Sequence, residues 1–246
     1  MNSISPNLNI MIRACEKASK VIIRDFGEIE NLQVSKKGQY DFVTKTDKRV
    51  EEILIEELKK NKKRYSFITE ESGTIVNSDK DNFWIIDPID GTTNFLHGIP
   101  HFAISVALKF KNEIRCGVIF DPIKNEIFYA EKNIGSFFNN QRIRVSKKND
   151  LDDCLFATNH LGAKFSDLNL RYTGCAALDL AYVGAGRLDG FFHNNINIWD
   201  IAAGAIIVKE AGGEVNELNN FEINNIDIRA SSSNIYEKML KKLENF

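Results

Sequence analysis

The stretch Trp84–Pro100 reads WIIDPIDGTTNFLHGIP, and it decides how the surrounding chain is interpreted. Its first three residues are apolar and predict a buried strand that ends at Asp87. Pro88 fixes its own φ and keeps the residue before it out of helical geometry. Asp90, Gly91 and two threonines follow. These residue types fit either a capped strand-to-helix turn or a site for an oxygen-ligated cation and a phosphate.

The composition is that of an ordinary globular chain. It has 246 residues, of which 43% are hydrophobic and 27% are charged, with a net charge of −2. This balance provides no basic surface for nucleic acid or an anionic membrane. The length fits one compact unit. A polar stretch from Ser146 to Asp153 predicts a division into an N-terminal half, 1–146, and a C-terminal half, 147–246.

The cysteines and the N-terminal stretch indicate a cytoplasmic protein. The four cysteines form no CxxC pair, so we expect buried thiols in a reducing compartment: Cys15, Cys116, Cys154 and Cys175. Charged residues interrupt the first twenty positions, which argues against a signal peptide or a membrane span.

Periodicity predicts a helix pair, then an antiparallel meander, then alternating helices and strands. The first helix is expected from Ser5-Pro6 to about Glu30, and the second opens at Thr46-Asp47. Between them, Lys36–Lys45 is interpreted as a polar loop with one short strand-like piece. Short strands at regular spacing follow Pro100. Further helices are predicted over Gly174–Ala185 and Ile201–Ala211.

Five acids lie where predicted strands or helices begin or end: Asp47, Glu70, Asp87, Asp90 and Asp200. Only folding could bring them together, and packed carboxylates repel unless cations neutralise them. Oxygen ligands without Cys or His select hard cations such as Mg²⁺. Two such ions held by shared carboxylates suit in-line phosphoryl displacement. Taken alone, Asp47 is better explained as a helix-start carboxylate.

Three motifs resemble the inositol monophosphatase family, part of a wider Mg²⁺-dependent, lithium-sensitive phosphatase superfamily. They are DPIDGTTNF at Asp87–Phe95, EES at Glu70–Ser72, and WDIAAG at Trp199–Gly204 followed by EAGG at Glu210–Gly213. The resemblance implies an α+β fold, a layered αβαβα sandwich of the sugar-phosphatase type with an antiparallel meander half and a mixed α/β half.

The resemblance also implies a set of metal ligands. Glu70, Asp87 and the main-chain carbonyl of Ile89 would bind a first Mg²⁺. Asp87, Asp90 and Asp200 would bind a second, so Asp87 would bridge the two ions. A third, weaker Mg²⁺ is expected near Glu70, which gives two to three ions in all.

Catalytic and substrate roles follow from the same resemblance. Thr92, hydrogen-bonded to Asp47, would orient the attacking water, with Glu70 completing the catalytic set. The amides of Gly91 and Thr92 would hold the phosphate oxygens. Asp90 would approach the substrate hydroxyls, and the main chain of Gly174, Cys175 and Ala176 would contact the alcohol.

The chain departs from the family pattern at two places. The family usually has a hydroxyl-binding acid where this chain has His193, and an imidazole cannot accept from two hydroxyls as a carboxylate does. His193 could meet an extra phosphate or another alcohol, or it could be structural. The segment 159–173 is too short for a helix that the family carries there. Both departures concern the choice of alcohol, and the second also concerns the dimer interface that many members of the family form there.

The sequence therefore predicts an Mg²⁺-dependent phosphomonoesterase. We expect it to hydrolyse inositol monophosphate or a similar small polyol phosphate by metal-activated water attack. Alternatives keep the chemistry and change the substrate to histidinol phosphate, NADP or an adenosine bisphosphate, or fructose 1,6-bisphosphate. A transcription-associated protein-binding role, known in some bacterial relatives, is a further alternative. We expect no direct nucleic-acid binding and no membrane association, while a homodimer is possible.

Overall fold

A computed structural model describes residues 4–29, 36–159, 167–216, 218 and 222–244, with main chain alone for 36–44 and 244. The helices are α1 Pro6–Ile29, α2 Lys36–Asn61, α3 Thr92–Leu96, α4 Ala176–Gly184, α5 Ile198–Glu210 and α6 Tyr236–Glu244. The first strands are β1 Ser66–Thr69, β2 Gly73–Ile75, β3 Asn82–Asp90, β4 Ala103–Phe110, β5 Glu113–Asp121, β6 Glu126–Glu131, β7 Gly135–Phe138 and β8 Gln141–Arg142. The later strands are β9 Leu155–Thr158, β10 Asn169–Arg171, β11 Gly190–Ile196, β12 Gly213–Val215 and β13 Ile226–Ser232.

Helices α1 and α2 pack together on one face of the first sheet. The prediction for α1 is confirmed, and its buried stripe includes Met11, Ala18 and Ile22. The prediction of a loop over Lys36–Lys45 is wrong, because α2 begins at Lys36. A helix that has formed its first turn gains one hydrogen bond for each residue added. The buried turns around Leu54 can therefore extend through a polar segment that shows no helical pattern of its own.

The first sheet has the strand order β2-β1-β3-β4-β5-β6-β7-β8 among the described residues. The predicted meander is confirmed, since each neighbouring pair from β3 to β8 is antiparallel. One feature was not predicted: β1 runs parallel to β3, with Thr69 opposite Ile86. Strand β2 was also missed, because its three residues are too short to show alternation.

Helices α4 and α5 form the layer between the two sheets. The second sheet has the order β10-β9-β11-β13-β12, and α6 lies on its outer side. One apolar core joins the first sheet, both middle helices and the second sheet. The layers therefore follow the predicted αβαβα order. No helix in the described ranges is both long enough and apolar enough to cross a membrane. The division at 146/147 stays a prediction.

The middle layer depends on small residues. A Cβ added at Gly204 of α5 would lie 2.4 Å from Leu180 Cβ of α4, far closer than two carbon atoms can approach. Gly27, on the exposed side of α1, has no atom within 4 Å of the same added carbon. Replacement by alanine should therefore have opposite effects on stability at these two glycines.

We predict that Gly204→Ala lowers the free energy of unfolding by about 1–3 kcal/mol, because the added methyl forces α4 and α5 apart. Gly27→Ala should raise the free energy of unfolding by about 0.5–1 kcal/mol, because alanine has a higher helix propensity than glycine and its methyl group meets no neighbouring atom here. Urea-induced unfolding followed by circular dichroism measures both. A Gly204→Ala protein whose free energy of unfolding is not lowered would contradict the described contact between α4 and α5.

Candidate active site

The end of β3 carries two of the predicted acids. Asp87 pairs with Ser105 and Asp90 with Ala103, and the register shifts between these pairs. Pro88 lies in this irregular segment, where a missing N–H breaks no ladder hydrogen bond. The strand therefore continues to Asp90 instead of ending at Asp87 as predicted.

Gly91 turns the chain from β3 into α3. Its φ is +95°, a left-handed conformation that suits glycine. A Cβ there would lie 3.1 Å from His101 O and 3.3 Å from Cys175 Cβ, so the position is crowded as well. The first amides of α3 have no acceptor within the helix, which leaves those of Gly91 and Thr92 available to an anion.

Glu70 reaches the site through the parallel pairing of β1 with β3. Because Thr69 lies opposite Ile86, the residue after each strand end falls at the same edge of the sheet. The amide of Glu70 donates to Ile86 O at 3.3 Å. The carboxyl of Glu70 consequently lies within hydrogen-bonding reach of Asp87.

Asp200 comes from the first turn of α5. The helix begins at Ile198, three residues earlier than the predicted Ile201, and Asn197 caps it. The amide of Asn197 donates to Asp200 Oδ2 at 3.1 Å, completing a capping box. This placement was missed because Asp200 interrupts the apolar run from which the helix was predicted.

The four acids meet in one cleft of about 220 Å³, which Ile89, Gly91 and Thr92 also line. Ligand oxygens of Asp87, Asp90 and Asp200 all lie within 4.8 Å of one another. Burial raises the pKa of Asp87 well above its ordinary value, and the neighbouring acids raise it further. Burial also raises the pKa of Asp90, Asp200 and Glu70. Asp87 interacts with both Glu70 and Asp200, which is the arrangement a bridging ligand needs.

The donor set fits a hard divalent cation. All the side-chain donors in this cleft are carboxylate or hydroxyl oxygens, and no Lys or Arg is among its described lining residues. Uncompensated carboxylates this close together are unstable as anions. A hard divalent cation bound by these carboxylate oxygens would neutralise their charges and so remove the repulsion.

Asp47 is not among the residues that line this cleft. Its side chain is 4% exposed, and Oδ1 has no partner among the described residues. Burial, with the charge of Glu70, raises its pKa to about 8. The expected hydrogen bond from Thr92 is wrong for this structure, because the single hydroxyl proton of Thr92 goes to Ile89 O at 2.9 Å. That carbonyl keeps a second lone pair for a cation.

A second cleft of about 410 Å³ adjoins the first and shares Asp90, Gly174 and Asp200 with it. The predicted alcohol-side residues all line it: Gly174, Cys175, Ala176 and His193. Nδ1 of His193 lies 2.9 Å from Asn194 O. Part of the shortened segment 159–173, residues 160–166, lies outside the described residues, so its predicted effect is not addressed by the structure.

Two contacts that orient Asp90 were not predicted. The amide of Ala177 donates to Asp90 Oδ2 at 2.6 Å, and Cys175 Sγ lies 3.1 Å from the same oxygen. Ala177 belongs to the first turn of α4, whose amides lack intrahelical acceptors. The helix itself was predicted, but the sequence contains no signal that its first turn would meet an acid 87 residues away.

Comparison with known proteins identifies the family. The model described as "Inositol monophosphatase family" matches residues 4–246. The chain is 46% identical over 221 residues to an inositol-1-monophosphatase of Rhizobium meliloti (strain 1021), covering 84% of this chain and 83% of that protein. It is 42% identical over 227 residues to the Nus factor SuhB of Escherichia coli (strain K12), covering 86% and 85%.

A solved structure agrees with the described fold. The crystal structure of the extragenic suppressor protein suhB from Bartonella henselae superposes with a TM-score of 0.87 at 40% sequence identity. The match covers 98% of this chain and 100% of that chain. The fold seen here is therefore found in experimentally determined relatives.

The raised pKa values predict how the metal-free protein responds to pH. The pKa of Asp47 is about 8 and that of Asp179 about 7, both raised by burial above an unfolded value of about 4. The folded state keeps protons that the unfolded chain has lost. Their contribution to stability is full below about pH 4 and disappears as the pH rises through 7 and 8.

We therefore expect the melting temperature in EDTA to be lower at pH 8.5 than at pH 5.5. Added Mg²⁺ should raise it more at pH 8.5, where the carboxylates are ionised. Asp47→Asn, which no longer titrates at that position, should show a smaller fall with pH. Differential scanning fluorimetry measures all three. A melting temperature in EDTA that rises over this range would contradict the assignment.

Proposed function

The chain belongs to the inositol monophosphatase family and is a phosphoric monoester hydrolase, and on this premise we propose that it uses Mg²⁺ to hydrolyse inositol monophosphate or a similar small polyol phosphate. The observation that carries the proposal is the meeting of Asp87, Asp90 and Asp200 within 4.8 Å. Glu70 joins them beside an anion-binding turn at the start of α3. A phosphate and its counter-cations fit this combination of acids and free amides.

The proposed ligands are those that the family resemblance implies, and all of them line the cleft. Glu70, Asp87 and Ile89 O would hold one ion, and Asp87, Asp90 and Asp200 a second. A third ion near Glu70 stays an expectation. When bound, Mg²⁺ supplies charge stabilisation for the phosphoryl and leaving oxygens and makes a water more acidic.

Residues of this chain then provide binding and proton transfer. The amides of Gly91 and Thr92 bind the phosphoryl oxygens. The oxygen of Thr92 can accept a hydrogen bond from the attacking water, because its own proton is committed to Ile89 O. We assign the uptake of the released proton to Glu70, which lines the cleft, and to Asp47, which interacts electrostatically with Glu70.

The adjoining cleft supports a small neutral alcohol. A volume of about 410 Å³ is at the lower end of the range for small-molecule sites. Its described lining is rich in amides and hydroxyls, and no Lys or Arg is included: Thr158, Asn159, Tyr172, Asn195 and Asn197. A second phosphate there would meet three acids, Asp90, Asp179 and Asp200, and only one imidazole, that of His193. The lining therefore favours a polyol over fructose 1,6-bisphosphate or an adenosine bisphosphate.

We predict that a panel of phosphomonoesters with Mg²⁺ reveals turnover of inositol monophosphate or another polyol phosphate, inhibited by Li⁺. Asp87→Asn should lower kcat by at least about 100-fold, because both ions lose a shared ligand. Asp81→Asn, which changes an exposed carboxylate, is the matched control. Absence of phosphate release from every ester would refute the proposed activity.

We predict that His193→Glu raises kcat/KM for inositol phosphates relative to the other esters in the panel. The introduced carboxylate would offer two acceptor oxygens to hydroxyls in the alcohol cleft, where imidazole offers at most one acceptor. Steady-state phosphate release on the same panel measures the ranking. An unchanged ranking would show that His193 does not take part in substrate recognition.

A second function is favoured by one finding, the similarity to a protein named Nus factor SuhB. In this proposal the chain binds a transcription protein, whether or not it also hydrolyses phosphate esters. Complementation with Asp87→Asn separates the two. Full biological function without phosphate release would make protein binding the main role, whereas loss of both supports the hydrolase. A homodimer stays a prediction.

A further inference from the structure

Glu51 is a buried acid for which the reaction above has no use. It lies on α2, one helical turn after Asp47, and is 1% exposed. Its Oε2 accepts a hydrogen bond from the amide of Glu71 at 2.9 Å, and its Oε1 accepts one from the amide of Ser72 at 3.0 Å. No ion pair with Lys or Arg involves Glu51 in the part of the chain that is described. Its two oxygens are thus used by consecutive main-chain amides.

These amides belong to the loop that carries Glu70. Strands β1 and β2 pair up to Thr69 and Gly73, so Glu70, Glu71 and Ser72 form a three-residue connection outside the ladder. On the side of β3, the loop is held by the amide of Glu70, whose 3.3 Å bond to Ile86 O is long. On the side of α2, it is held by the two shorter bonds to Glu51.

We propose that Glu51 is a positioning residue for Glu70, fixing the β1–β2 loop against α2 so that the carboxyl of Glu70 is held beside Asp87 and Asp47. The same helical turn carries Asp47, so one rigid element sets the place of both acids. The inference rests on the proposed function in one respect, namely that Glu70 binds a cation.

The chemistry requires a carboxylate at this position. Two parallel N–H donors need two acceptors, and an ionised carboxylate supplies both oxygens. A glutamine keeps one acceptor and turns an NH₂ group toward the other amide. Glu51→Gln therefore changes little volume but removes one of the two bonds, which frees the loop on the side of α2.

The experiment measures Mg²⁺ binding by isothermal titration calorimetry, without substrate. Groups that orient metal ligands typically contribute 10–100-fold to metal affinity. We expect Glu51→Gln to raise the Mg²⁺ dissociation constant by about tenfold or more. Glu52→Gln, at the exposed neighbouring position of the same helix, should leave it unchanged.

A charge control separates positioning from general electrostatics. Glu71→Gln removes one negative charge from the loop but keeps the amide that Glu51 binds. We expect it to weaken Mg²⁺ binding clearly less than Glu51→Gln does. Equal weakening by the two variants, or a dissociation constant for Glu51→Gln within twofold of the unsubstituted protein, would overturn the proposal.

Hydrogen exchange of the unsubstituted protein tests the contact even if Glu51→Gln fails to fold. The amides of Glu71 and Ser72 should exchange at least about tenfold more slowly than unprotected loop amides. Unprotected exchange at both positions would overturn the proposal. Neither the Mg²⁺ dissociation constant nor hydrogen exchange depends on turnover. A protein that binds Mg²⁺ yet releases no phosphate would therefore refute the proposed function, while these two measurements would still decide the role of Glu51.

Discussion

Repulsion among buried carboxylates governs the arrangement of the active site. Asp87 is 1% exposed and interacts with acids on two sides, Glu70 and Asp200. No Lys or Arg is found among the described residues that line the cleft. Such a group is stable only if it is protonated or if it holds cations. The acidic cleft therefore favours the binding of cations. The amides at the start of α3, which favour an anion, line the same cleft.

The scaffold meets this constraint by committing one oxygen of each central acid to a main-chain donor. Three amides do this, that of Ile89 for Asp87, of Ala177 for Asp90 and of Asn197 for Asp200. Each donor lies at or beside the end of a strand or helix, so the main chain fixes how these three acids are oriented in the cleft. The proposed role of Glu51 extends the same device to the loop of Glu70.

Much of this could be predicted from local patterns, and the remainder depends on tertiary contacts. The strand before Asp87, the meander and α1 follow from periodicity, and the family resemblance identifies the acids. The start of α2 at Lys36 and the parallel pairing of β1 with β3 carry no local signal. Glu51 was missed because a buried acid on a helix looks like a solvated one until its partners, 20 residues later, are placed. The predicted hydrogen bond between Thr92 and Asp47 is wrong because the hydroxyl of Thr92 donates to Ile89 O instead.

The role of Asp87 as a ligand shared by two ions is tested most directly by a crystal structure with Mn²⁺ in place of Mg²⁺ and with inorganic phosphate, using anomalous scattering to locate the ions. We predict ions on both sides of Asp87, each within about 2.0–2.3 Å of one of its oxygens, since Mn²⁺ is slightly larger than Mg²⁺. One ion should also contact Glu70 and the other Asp200. Ions bound elsewhere, or bound in this cleft without Asp87, would contradict this role.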